Sequence, residues 1–173
     1  MESVRFALDH IGVERPSWQT MVLSVARDVD LPVERLWTTW ADLDAWPRWS
    51  ALHEAARWTG APGWTAGATF EQTLQLGFPV GRSVNPVTVG AAEAGHLVSW
   101  WEAGGGLRSC HVWAFDAISP ERTRVTDTEV FHGLATGLLK PLLRPRWQSL
   151  FERSVDGLVR AATSTPNPPT TPS

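Results

Sequence analysis

The chain has 173 residues, 43% of them hydrophobic and 19% charged, with a formal net charge of −3. This composition excludes a disordered protein, and its slightly acidic balance argues against a nucleic-acid binder, which needs a clustered positive field. The single cysteine, Cys110, excludes an internal disulfide. No apolar run reaches the length of about 18 residues that spans a membrane.

The opening residues, MESVRFALDH, lack the basic start and apolar run of a signal peptide, so a cytoplasmic location is expected. Residues 1–19 form an N-terminal extension. Phe6, Leu8 and Ile11 suit a short strand or helix packed on the body, and Pro16 stops it. In 21–31, Met21, Leu23 and Val25 alternate with Ser24, Ala26 and Asp28, the period of a strand. Pro32 suits the first turn of a helix, and Val33, Leu36, Trp37 and Trp40 then recur at helical spacing. A second short helix or turn follows over 42–50, with Pro47 between Trp46 and Trp49.

From His53 onward, Gly and Pro punctuate short runs of strand composition near 53–59, 68–78, 82–91, 96–103, 107–117 and 123–132. Connections this short force antiparallel neighbours. Over 136–162 the apolar residues return at helical period, from Leu138 to Val159. Pro141 and Pro145 should interrupt the first turns, so a regular helix is expected from Pro145. The tail 163–173, TSTPNPPTTPS, has nothing apolar to bury and is expected to be disordered.

The predicted fold is therefore α+β, a helix-grip arrangement. A curved antiparallel sheet of about seven strands wraps a long C-terminal helix, with two short helices after the first strand. One helix cannot fill such a sheet, and the space left between them is a typical ligand site. The eleven tryptophans exceed what a small solid core requires, so some are expected to line that space.

Two segments carry a resemblance. Pro32-Val33-Glu34-Arg35-Leu36-Trp37 followed by Asp42-Leu43-Asp44-Ala45-Trp46-Pro47-Arg48-Trp49 resembles the opening helices of the START-like, Bet v 1-like superfamily, closest to its bacterial polyketide cyclase/dehydrase branch. Thr123-Arg124-Val125-Thr126, Glu129-Val130-Phe131 and Gly133-Leu134 are similar to that branch's final strand. The resemblance covers residues 20–162 and implies one ligand-binding domain. The branch holds aromatase/cyclases, other small-molecule cyclases and carriers, so the resemblance fixes no reaction.

The turns predict which residues face inward. A turn at Ser119-Pro120-Glu121-Arg122 sets His111 opposite Glu129, Trp113 opposite Asp127 and Phe115 opposite Val125. A turn centred on Gly104-Gly105-Gly106 sets Ser99 opposite His111 and Trp101 opposite Ser109. Paired residues share a face, so Ser99, Trp101, His111, Trp113, Phe115, Asp127, Glu129 and Phe131 are expected on the concave side. His111 with Glu129 and Asp127 is the candidate acid–base group, since a carboxylate orients an imidazole that titrates near neutrality. The same groups can instead only satisfy one another. Trp101, Trp113, Phe115, Phe131 and Ser99 are candidate cavity-wall residues. Trp46, Trp49 and Phe78 join the ligand-binding set. Arg82 either reaches in to hold a carboxylate or enolate or remains a solvated edge arginine. Trp37, Trp40 and Trp147 read as core.

His10, His53, His96, His111 and His132 are too scattered for a metal site, and no phosphate-binding loop or GxSxG motif is present. No cofactor and no metal are expected. The expected partner is a hydrophobic small molecule, without membrane insertion and with oligomeric state open. Two readings follow. One is a cofactor-independent enzyme that directs cyclisation of an apolar aromatic or polyene substrate. The other is a non-catalytic carrier or sensor.

Overall fold

The computed structural model describes residues 2–104 and 106–164. The elements run α1 (Glu2–His10), β1 (Thr20–Val29), α2 (Val33–Ala41), a single 3₁₀ turn (Leu43–Ala45), α3 (Trp46–Trp49), β2 (His53–Trp58), β3 (Thr69–Gly77), β4 (Gly81–Glu93), β5 (Leu97–Gly104), β6 (Leu107–Ser119), β7 (Arg122–His132) and α4 (Leu134–Ser164). The strands form one sheet in the order β1-β7-β6-β5-β4-β3-β2, every neighbouring pair antiparallel. This is the helix-grip architecture expected from the sequence.

α4 lies across the concave face and buries Leu143, Trp147, Leu150, Phe151, Val155, Leu158 and Ala162. It starts at Leu134 rather than Pro145, with both prolines inside it. Pro141 and Pro145 are four residues apart and both exposed. They share the outer side of the helix, where water can take the carbonyls that lose an amide partner. Gly157 sets how closely α4 approaches α3, because a Cβ there would collide with the Trp49 carbonyl oxygen. At its far end the helix absorbs Thr163 and Ser164, whose hydroxyls donate back to the carbonyls of Val159 and Arg160. The rest of the expected disordered tail, 165–173, lies outside the described residues.

The N-terminal extension forms a helix. α1 covers the convex face of β6 and β7, where Ala7, Leu8, Ile11 and Val13 pack with Cys110, Val112 and Val130. Cys110 is therefore buried, and burial, aided by the Glu129 charge, pushes its thiol up to about 12. An unreactive thiol is what that environment produces.

Most of the tryptophans pack into one solid core. The Trp40 ring stands 4.5 Å from Trp64, 5.3 Å from Trp37, 5.5 Å from Trp46 and 6.1 Å from Trp113 between centroids. Two of the indoles close local backbone: Trp46 donates to the Trp40 carbonyl and Trp64 to that of Ala41. α2, the 3₁₀ turn and α3 bring these rings together and plug one end of the sheet. The other end is left hollow.

Candidate functional site

The hollow is a cavity of about 500 Å³ between the concave sheet and the first half of α4. Its walls are mostly apolar, with Met21, Leu74, Leu76 and Phe131 from the sheet and Leu139, Leu143, Trp147 and Phe151 from α4. The titratable and amide groups all come from the sheet side: His53, Gln72, Asn85, Glu102, His111 and Glu129, with the Ser83 hydroxyl beside them. α4 contributes no titratable side chain to the lining.

His111 sits at the centre of the sheet, paired across β6 and β7 with Glu129. Its ring lies 4.4 Å from that of Trp100 and 5.3 Å from that of Phe151. Both nitrogens are occupied: Nε2 contacts Asp127 Oδ1 at 2.5 Å and Nδ1 contacts Glu129 Oε2 at 3.2 Å. Burial alone would discharge this imidazole, but the Asp127 and Glu129 carboxylates outweigh it and push His111 up to about 10. It is an imidazolium held between two carboxylates. Burial also raises the Asp127 carboxyl, with His111 opposing, so the trio titrates as a unit.

Two further titratable groups face the cavity. The His53 Nε2–H donates to Gln72 Oε1 at 3.1 Å, and its Nδ1 meets the Ser50 hydroxyl at 2.7 Å. Burial lowers His53 to about 3, with the Gln72 bond opposing and the His111 charge adding to the effect, so it is neutral. Glu102, on β5, moves the other way. Burial and then the Glu129 charge raise its carboxyl to about 7, against a hydrogen bond from Ser109. Glu102 is thus poised to exchange a proton near neutral pH.

The structure brings His111, Glu129 and Phe131 to the cavity together. Asp127 lies behind His111, fully buried and outside the lining. The tryptophan wall expected from the sequence is not there. Trp46, Trp49, Trp113 and Phe115 are buried in the aromatic core, while Trp147, read as core, lines the cavity. Trp101 and Ser99 face the convex side. β5 and β6 pair with Trp100 opposite His111, Trp101 opposite Cys110 and Ser99 opposite Val112. Gly104 remains in the strand opposite Leu107, which moves the turn centre and slips the register by one residue. Trp101 consequently lies beside His10 of α1, and the Ser99 hydroxyl accepts from the Ala91 amide. Phe78 is 74% exposed on the β3–β4 hairpin and does not line the cavity. Arg82 points outward and pairs with Glu54 at 3.2 Å.

Sequence reasoning missed His53, Gln72, Ser83, Asn85 and Glu102. A signal for some of them was present. Gln72 interrupts the alternation Phe70, Leu74, Leu76, and Ser83 and Asn85 precede Val87 at the same period. Polar residues at positions due to face a core mark a wet or ligand-bearing surface.

A curved sheet gripping one long helix around a mostly apolar cavity defines a START-like ligand-binding protein. Residues 20–163 match the family described as polyketide cyclase / dehydrase and lipid transport, and the chain belongs to that family. Solved structures with the same fold include TTHA0849 from Thermus thermophilus, at 17% identity and a TM-score of 0.68 over 83% of this chain and 98% of that one. Another is norcoclaurine synthase from Thalictrum flavum in complex with dopamine and hydroxybenzaldehyde, at 13% identity and a TM-score of 0.65 over 86% and 90% of the two chains. A third is the Zhui aromatase/cyclase from Streptomyces sp. R1128, at 14% identity and a TM-score of 0.59 over 83% and 91%. A search of curated protein sequences gives no match. Among the described residues, no helix is long and apolar enough to cross a membrane.

Proposed function

We propose that the protein binds a hydrophobic small molecule in this cavity and directs its cyclisation, with Glu102 as the proton-transferring group. The observation that carries this reading is geometric: two carboxyls, Glu102 and Glu129, line one mostly apolar chamber, and Glu129 is tied to His111. Apolar walls hold a flexible chain in one folded conformer, which replaces a disfavoured encounter with a near-attack geometry. Ring closure then needs a proton taken up from the reacting framework. Glu102 suits that step because a base is most effective when its pKa lies near the working pH. His111 is assigned a positioning role, since neither of its nitrogens is free. It holds the Glu129 carboxylate in place.

The test uses purified protein and a panel of linear aromatic and polyene precursors, with cyclised product followed by chromatography and mass spectrometry. The groups that act on Glu102 are Ser109 on β6 and Glu129 on β7. Turnover should rise with pH through a midpoint near 7, as Glu102 loses its proton, and that midpoint should vanish in Glu102→Gln. A pH–rate midpoint that survives Glu102→Gln counts against the assignment. The carrier reading is favoured by one observation, the commitment of both His111 nitrogens to carboxylates. It predicts saturable binding of the same compounds without product.

A further inference from the structure

The carboxyls around the cavity are answered by one shared cation, His111. Among the described lining residues there is no lysine and no arginine. His53 is neutral, with one nitrogen on Gln72 and the other on Ser50. The His111 imidazolium is spent on Asp127 and Glu129. Glu102 and Glu129 have no basic side chain in the lining to answer them beyond that shared imidazolium. A carboxylate or phosphate deep in the cavity would meet like charge without a counterion, which is costly away from water. A cation would form charge-assisted hydrogen bonds instead.

We propose that the cavity selects ligands with a positively charged nitrogen on an apolar body. The cation sits against Glu102 and Glu129, and the body lies along Leu74, Leu143, Trp147 and Phe151. This rests on the small-molecule binding proposed above and specifies its chemistry. The first turn of α4, where Ala135 and Thr136 border the cavity, exerts the opposite pull, because a helix N-terminus favours an anion. The two influences act at the same end of the cavity, since Glu102 pairs with Ser109, Ser109 with Phe131, and Gly133 lies against the Gly106 carbonyl, and a charge series decides which prevails.

The probes are three naphthalenes of matched size: 2-(2-naphthyl)ethylamine, 2-(2-naphthyl)ethanol and 2-naphthylacetate, titrated at pH 8 by calorimetry. The amine should bind at least about tenfold more tightly than the alcohol, and the acetate more weakly than either. Glu102→Gln should remove most of the amine's advantage and leave the alcohol's affinity within about threefold of wild type. Glu129→Gln should do the same. If that variant fails to fold after losing its tie to His111, the Glu102→Gln result alone decides. Binding of the alcohol with no advantage for the amine, or tighter binding of the acetate, overturns the cation preference and leaves the small-molecule reading standing. Failure of all three to bind overturns both.

Discussion

Replacing His111 by leucine should destabilise the fold by about 3–5 kcal/mol, the cost of stranding buried carboxylates without their cation. Asp127 is fully buried and meets the imidazole at 2.5 Å, so it has no water to turn to when the ring is removed. The melting temperature should fall by roughly 10–15 °C for a chain of this size. Replacing both partners, His111→Leu with Asp127→Leu, should recover much of the loss, because an apolar pair of similar volume needs no desolvation. The pH dependence has a definite sign. His111 is raised from 6.5 to about 10, so its contribution is fully present below pH 6.5 and is lost as pH rises through 10. Wild-type melting temperature should therefore decline between about pH 7 and 8.5, and the decline should be absent in His111→Leu. A leucine variant within about 1 kcal/mol of wild type would show that the trio carries no such charge.

Trp40→Ala should be equally costly for a different reason. Trp40 is fully buried against Trp37, Trp46, Trp64, Trp100, Trp113 and Phe115, so its removal leaves a void that the surrounding rigid rings close only in part. Large-to-small changes of this kind cost about 3–5 kcal/mol. The indole Nε1–H of Trp40 has no acceptor among the described residues, so no hydrogen bond is lost with it. Affinity for an apolar ligand should be unchanged at temperatures where the variant is folded, since Trp40 is not part of the cavity wall. Chemical denaturation and a parallel binding titration separate the two effects. A fall in affinity with little loss of stability would reassign Trp40 to the ligand.

The two large effects follow from features that were unequally legible in the sequence. The β6–β7 register was readable to within one bulge: Ser119 pairs with Arg122, the register shifts between Ala117 and Ser119, and His111 stands opposite Glu129 as expected. The β5–β6 register was not. A run of three glycines accepts more than one turn centre without strain, and the one-residue difference moved Trp100 inward and Trp101 outward. The helices were legible in period but not in reach. Pro141 and Pro145 read as an interruption, yet both lie inside α4 on its exposed side. The division between solid core and cavity was the least legible feature. An inward-facing tryptophan has the same pattern whether it meets another ring or empty space. Which it meets depends on where α2 and α3 insert, and that is a property of the assembled fold. Glu102 was invisible for the same reason, since its raised carboxyl comes from burial and from Glu129 on a strand two places away.

The central claim is that ligand occupies the Glu102–Glu129–Trp147 end of the sheet and not the tryptophan core. Quenching of intrinsic fluorescence by a brominated 2-(2-naphthyl)ethylamine tests it, because heavy-atom quenching requires near contact. Trp147 is the one indole among the described lining residues, so Trp147→Phe should remove most of the quenching while calorimetry still detects binding. Trp46→Phe, in the core, should leave the quenching intact. Quenching that survives Trp147→Phe and disappears in Trp46→Phe would contradict the account and return the ligand to the tryptophan cluster.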